Sequence, residues 1–456
     1  MEPFRYHAIV CTQEKPEGVP CCSASGSFRI LDALHRELGT QGLADDVQVS
    51  ACGCLGLCDS GPLMIVYPEG TWYTKLTPSD MPEIVSSHFK SGKKVARLER
   101  TDYAAMKAEM LDHRNKYFAM LKAKDAAGIV PDDITDLIRG FWPSRAVLTA
   151  LELDIFTAIG DGSSSKQIAA KIQCAVRSTE MLLNALVALK LLAKSGDKYS
   201  NTPVSARFFV EGSPDSARLG QLHIANIWKS WSTLTEAVKA GTTVVVRSDG
   251  KGWEKPFIAA MDNNARGRAR ALAQAVEING AKRMLDLGGG SGAYSIAFAK
   301  SAPGLQSEIV DLADVLPITQ DYIRKAGLAD RITTRPGDML TVPLDPEKYD
   351  LVLLSAVCHM FSPEENEQLF KRSYAALAPK GRLVISDFVL EADKTAPRFG
   401  ALFALNMLVN TRAGASYSEP EYDTWLKQAG FTETKRVRLP GPANLMIATK
   451  QEGNRR

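Results

Sequence analysis

Charge of one sign is the first thing this 456-residue chain lacks, since 55 lysines and arginines face 52 aspartates and glutamates for a formal balance of +3. That leaves no electrostatic footprint for nucleic acid, whose binders concentrate cations against phosphates. No window approaches the roughly 20 apolar residues that span a bilayer, and Met1 to Val10 contains no apolar stretch of signal-peptide length. The expectation is a cytoplasmic protein that takes neither nucleic acid nor membrane as partner. Internal repeats and low-complexity tracts are also missing. Cysteine is scarce over most of the chain: six of the eight lie between Cys11 and Cys58, and only Cys174 and Cys358 follow. Without an export signal, such clustering points to a metal site rather than to disulfides.

What is present reads as a multidomain globular protein. Hydrophobic residues at 45% and charged residues at 23% are ordinary, and a prior of about 150 residues per domain suggests about three units. Residues 1–98 open with a strand at His7-Ala8-Ile9-Val10 and an amphipathic helix over Ser27 to Leu38. Strands at Val47 to Ser50 and Leu63 to Tyr67 follow, the latter turning through Pro68-Glu69-Gly70 into Thr71-Trp72-Tyr73. Residues 99–130 form a charged linker helix from Asp102, with Tyr103, Met106, Met110, Tyr117 and Leu121 as one packed stripe. Residues 131–245 are mostly helical with a small wing at Lys198-Tyr199-Ser200-Asn201, and residues 246–456 alternate short strands with helices, the pattern of a parallel α/β sheet.

Cys11, Cys22, Cys54 and Cys58 place two thiols on each of two loops that follow strands, and Gly53, Gly56 and Gly61-Pro62 supply the tight turns that let sulfurs converge. Zinc and an iron–sulfur cluster both accept such ligands. The Cys-x3-Cys without a following Cys-x2-Cys argues against a radical S-adenosylmethionine cluster. The segments Val10-Cys11-Thr12, Lys15-Pro16-Glu17-Gly18, Gly53 to Cys58 and Val66 to Tyr73 resemble the thioredoxin-like 2Fe-2S ferredoxins over residues 4–98. That resemblance implies a 2Fe-2S cluster on the four cysteines. At the second ligand the loop is short and offers both Cys21 and Cys22, of which Cys22 keeps the four-residue step to Gly26. Cys21 and Cys52 are then surplus, and packed side chains are favoured over a redox role.

The second signal is Met284-Leu285-Asp286-Leu287-Gly288-Gly289-Gly290-Ser291-Gly292, a buried strand that ends in a turn opening a helix. Gly288, Gly290 and Gly292 let backbone pass close to a ligand, and Asp286 before them suits a cationic amino acid moiety rather than a nicotinamide cofactor. Asp311 ends the next strand, nineteen residues after Gly292, where a carboxylate can accept both ribose hydroxyls of an adenosine. Asp338 and Met339 in Pro336-Gly337-Asp338-Met339, and Ser355 at the end of Tyr349 to Ser355, would face the same crevice.

Together these segments resemble the class I, Rossmann-like methyltransferases, and more closely the small-molecule O-methyltransferases of the caffeate and acetylserotonin type, over about residues 131–450. The resemblance implies S-adenosylmethionine as cofactor. It also implies a winged-helix-like dimerisation region recognised by Gly140-Phe141-Trp142-Pro143-Ser144-Arg145 and Asn201-Thr202-Pro203, and hence a homodimer. His359 falls on the family's catalytic histidine and Asp387 on the carboxylate that orients it, although a loop histidine and a strand-capping acid are equally ordinary. The family's further glutamate falls at Ser416, which weakens the case for a phenol. Phe403 and Met407, on a helix over Phe399 to Val409, would line an apolar acceptor pocket.

The expected function is methyl transfer from S-adenosylmethionine to a small, largely apolar acceptor, hydroxyl before thiol or sulfide, with an attached redox domain and a possible redox partner protein. The competing class is a redox-sensing or electron-transfer protein whose methyltransferase-like half only binds ligand and dimerises.

Overall fold

The computed structural model describes residues 3–15, 19–245, 254–276, 278 and 280–452. The Pro16-Glu17-Gly18 motif and the expected boundary at residue 246 lie outside them. The chain forms two compact units, Met1–Gly140 and Phe141–Arg456.

In the first unit, β1 (Tyr6–Cys11), β2 (Val47–Cys52), β3 (Met64–Tyr67) and β4 (Thr71–Tyr73) make one sheet in the order β2-β1-β3-β4. β1 pairs parallel with β2 and antiparallel with β3. Alternation along β1 turns Tyr6, Ala8 and Val10 inward, where Ile30, Leu34 and Leu38 from the Ser27–Thr40 helix meet them at i, i+4 spacing. β2 runs two residues further than its apolar pattern suggests, which sets Cys52 opposite Cys11 in register.

The expected linker helix is Tyr103–Ala126, and the Asp102 carboxylate accepts the Ala105 N–H at its start. Its packed stripe is shorter than expected. Met106 is buried and Met110 covers Gly56, but Tyr103, Tyr117 and Leu121 are exposed. At about 1.5 Å per residue the helix spans some 36 Å, and only its first turns reach the loop that they cover.

The second unit begins with helices that include Phe141–Glu152 and Val176–Ala188 around Leu148, Leu151, Phe156, Leu183 and Leu186. A small wing of β5 (Ser163–Ser164), β6 (Leu192–Ser195) and β7 (Lys198–Asn201) packs with them. A seven-stranded sheet follows: β8 (Arg283–Leu287), β9 (Gln306–Asp311), β10 (Ile332–Pro336), β11 (Tyr349–Ser355), β12 (Leu377–Asp387), β13 (Glu433–Arg438) and β14 (Asn444–Thr449). Its order is β10-β9-β8-β11-β12-β14-β13, with β14 antiparallel to both neighbours and the others parallel.

Helices cover both faces, so central strands carry no polar face. In β11, Val352 and Leu354 join one core with Phe370 and Trp425, while Leu351 and Leu353 join the other with Leu272 and Phe298. The parallel strands all finish at one edge, and the order reverses between β8 and β11, which opens a crevice at their carboxyl ends. Among the described residues no helix is long and apolar enough to cross a membrane. Leu353→Ala, at a fully buried point of β11, is expected to cost about 2–5 kcal/mol, read from urea denaturation.

Candidate active site

At the crevice, β8 ends in the glycine turn, with Gly288, Gly290 and Gly292 all at positive φ (74°, 56° and 76°). Space is as restrictive as torsion. A Cβ on Gly288 would lie 2.6 Å from Met339 Cε and 2.8 Å from Val357 Cγ1, and one on Gly289 would lie 2.8 Å from Ile309 Cγ2. The turn is thus pressed between β9 and the loops after β10 and β11.

Asp286 sits beneath it, 1% exposed. One carboxylate oxygen accepts from Ser295 Oγ at 2.7 Å, while Oδ1 is buried without a partner among the described residues. Burial raises Asp286 to about 7, only partly offset by Ser295. Asp311, at the end of β9, accepts the Gly290 N–H at 2.8 Å and the Leu312 N–H at 2.7 Å, and burial raises it too. A buried carboxylate with an unused oxygen and a partly buried one beside it fit a ligand that brings a cationic amine and hydroxyl donors. Met339 reaches the glycine turn, and Ser355 Oγ is buried with no hydrogen-bond partner among the described residues. Asp338 instead faces solvent and accepts the Leu340 N–H within its own turn.

His359 lies in a turn, Cys358–Met360, just past β11. Asn366, fully buried on the following helix, holds that turn by donating Nδ2 to the carbonyls of Cys358 and Ser362 at 2.9 and 3.1 Å. His359 Nδ1 meets Asp387 Oδ1 at 2.7 Å, and the second carboxylate oxygen accepts the His359 N–H at 3.1 Å. A carboxylate can only accept, so Nδ1 carries the proton. Nε2 has no hydrogen-bond partner among the described residues.

Around this imidazole stands an aromatic wall: Phe403 lies edge-on at 4.9 Å between centroids, Phe388 at 5.8 Å, and Phe388 touches Phe399 and Phe403 in turn. Met407, one turn beyond Phe403 on the Arg398–Asn410 helix, is buried. Ser416 is also buried, and its hydroxyl has no partner.

In the first unit the four cysteines form two pairs. A hydrogen bond from the Cys22 thiol holds Cys11 below the ordinary thiol range, against burial. Cys54 and Cys58 stand with sulfurs 3.5 Å apart, and Lys15 Nζ donates to Cys58 at 2.9 Å. A Cβ on Gly61 would come within 2.8 Å of Cys22 Sγ, so that glycine makes room for the sulfur. A tetrahedral zinc with bonds of about 2.3 Å would gather all four sulfurs within roughly 3.8 Å of one another. Among the described residues no three of them lie within 4.8 Å, so paired thiols fit a two-iron cluster better than a single zinc. The helix Tyr103–Ala126 covers the second pair's loop, and His113 to Asp59 at 3.0 Å and Glu109 to Arg100 at 2.7 Å fasten it there.

Residue patterns pointed to the carboxylates and the histidine but not to what supports them. Phe388, Val357 and Asn366 carry no motif of their own. Phe388 directly follows Asp387 and so had to leave the strand beside it, a signal that adjacency alone could have given.

Comparison with known proteins fits this geometry. Residues 235–432 match the O-methyltransferase domain, residues 135–211 the O-methyltransferase dimerisation domain, and residues 4–88 the thioredoxin-like [2Fe-2S] ferredoxin family. The chain is 33% identical over 328 residues to the 3-hydroxy-5-methyl-1-naphthoate 3-O-methyltransferase of Streptomyces sahachiroi, covering 70% of this chain and 94% of that one. The chain belongs to the S-adenosylmethionine-dependent O-methyltransferases. The tetracenomycin polyketide synthesis 8-O-methyl transferase TcmO of Streptomyces glaucescens is 30% identical, over 70% of this chain and 97% of its own. A structure of PigF with SAH superposes at a TM-score of 0.65 with 27% identity, over 71% of this chain and all of that one (100%).

As an O-methyltransferase the chain uses S-adenosylmethionine, and its dimerisation domain supports a homodimer. That region carries an open apolar cleft of about 500 Å³ beside the exposed Phe141 and Trp142. Asp286→Asn removes a buried acid whose raised pKa makes the ligand-free fold lose stability from the ordinary carboxylate range up to about pH 7. The variant is expected to flatten that loss and to be more stable than the parent at pH 8, by on the order of 2–4 kcal/mol, in denaturation series across pH.

Proposed function

We propose that this enzyme methylates a hydroxyl on a small, largely apolar aromatic acceptor, with His359 as general base. The observation that carries the reading is the His359–Asp387 pair: Nδ1–H is fixed by the carboxylate at 2.7 Å, which leaves Nε2 unpartnered beside Phe403. A thiol acceptor already has an appreciable thiolate fraction near neutral pH and would need such a base less.

S-adenosylmethionine supplies an electrophilic methyl group on a sulfonium. Asp286 would receive its ammonium and Asp311 the ribose hydroxyls, over the Gly288, Gly290 and Gly292 turn, with Met339 and Ser355 along the crevice. The acceptor lies against Phe403 and Met407. His359 Nε2 would take the hydroxyl proton as the oxygen attacks the methyl carbon in line, the S–CH3 bond breaking to leave S-adenosylhomocysteine, and Asp387 would hold the resulting imidazolium in place. Cys11, Cys22, Cys54 and Cys58 would hold a 2Fe-2S cluster, which would supply one-electron redox chemistry that a partner protein would serve. The domain limits that go with this reading are 1–98, 99–130, 131–245 and 246–456.

His359→Ala is expected to lower kcat on a phenol by about 10²–10⁴ with binding of S-adenosylmethionine unchanged by calorimetry. Equal activity in the variant sinks the general-base role. Asp311→Ala is expected to weaken cofactor binding at least about tenfold, since hydrogen bonds to a charged group contribute about 1.5–3 kcal/mol. Protein purified without oxygen is expected to show visible absorption and, once reduced, a paramagnetic signal; Cys54→Ser should remove both, and a spectrum unchanged in C54S would exclude it as a ligand.

A further inference from the structure

The Glu254–Ala275 helix runs along the crevice. Near its start Ile258 Cδ1 lies 3.8 Å from where a Cβ on Gly290 would stand, and ten residues later Arg268 places its guanidinium carbon 5.9 Å from the centre of the Phe388 ring. Phe388 stacks beside His359 and packs on Phe403. The helix thus carries a cation from the glycine turn's side of the cleft to the edge of the aromatic wall.

Arg268 is half-buried, and among the described residues no carboxylate or hydrogen-bond acceptor meets it. Other arginines of this unit are answered: Arg335 by Glu308 at 2.6 Å, and Arg436 by Glu391 and Glu419, both at 3.1 Å. Asp387, the acid next to Phe388 in sequence, is committed to His359 and to the Phe388 N–H. A guanidinium cannot shed its proton, and partial burial strips water from it, so a cation left uncompensated here is costly unless a ligand supplies the counter-charge. Its flat fork matches a carboxylate through two parallel N–H donors.

We infer that Arg268 is a carboxylate-binding residue of the catalytic cleft. This rests on the methyltransferase reading above and adds the anionic group that the cleft is built to hold. Two molecules in the reaction could bring it: an aromatic acceptor bearing an acid beside its hydroxyl, or the amino acid end of S-adenosylmethionine.

The test compares wild type with Arg268→Gln in two arms. In the first, a hydroxynaphthoate and the matching naphthol are methylated in competition. In the second, calorimetry compares S-adenosylmethionine with its decarboxylated analogue. An acceptor carboxylate predicts that the variant's preference for the acid over the naphthol, as a ratio of kcat/KM, falls at least about tenfold. A cofactor carboxylate predicts that preference for the intact cofactor over the decarboxylated one falls by as much. Neither ratio moving overturns the assignment. Arg268→Lys, which keeps the charge without the fork, is expected to lose less in the same arm and serves where the glutamine variant does not fold. Wild-type turnover stands apart: its absence on both the hydroxynaphthoate and the naphthol defeats the hydroxyl-methylation reading, whereas turnover with both ratios unmoved defeats Arg268 alone.

Discussion

Asp387 is 2% exposed, and a buried carboxylate at the end of a strand is tolerable only when every lone pair facing the protein is answered. Here one oxygen takes the His359 imidazole and the Phe388 N–H, and the other takes the His359 N–H. The carboxylate therefore ties the end of β12 to the turn after β11, and it fixes both the place and the tautomer of the histidine. The aromatic wall depends on the same knot, because Phe388 leaves the strand where Asp387 has claimed its backbone. Remove the acid and a strand end, a turn and a ring lose their common anchor together.

How much of this could be read from residues follows from what each feature needs. The glycine turn was legible because it demands glycine twice over, by positive φ and by the close approach of Met339, Val357 and Ile309. The parallel sheet was legible because β11 is apolar on both faces and its length is right for a strand. Phe403 and Met407 fell into place once the helix period was known. Asp338 did not behave as its neighbours did: the same short motif that delivers Met339 to the crevice turns the aspartate back onto the Leu340 N–H. Adjacent residues point apart on an extended chain, and no pattern of residue types says which one faces in. Asn366 was invisible for a related reason, as an amide serving carbonyls across a helix start is defined by geometry alone.

The first unit shows the same division. Its four ligand candidates were read from spacing, yet the pairing of their sulfurs, which separates two irons from one zinc, exists only in three dimensions. The helix Tyr103–Ala126 was expected to bury one face throughout. It buries Met106 and presses Met110 onto Gly56, then runs on with Tyr117 and Leu121 uncovered. Periodicity reports which side of a helix can pack, whereas the length that does pack is set by the size of what lies opposite.

Ser416 bears on the chemistry more than its size suggests. A second acid near the imidazole would share the positive charge that appears when Nε2 takes a proton, but where the resembling enzymes carry a glutamate this sequence has Ser416, a buried hydroxyl with no hydrogen-bond partner among the described residues. In the proposed mechanism the imidazolium relies on Asp387, the only carboxylate bound to the histidine among the described residues. A single orienting acid suffices where the acceptor is already acidic, since less proton affinity is needed at the transition state. The missing glutamate, which by itself counts against a phenol, is thus compatible under the proposed reading with an acidic, electron-poor aromatic hydroxyl, and the wall of Phe388, Phe399 and Phe403 is apolar to match.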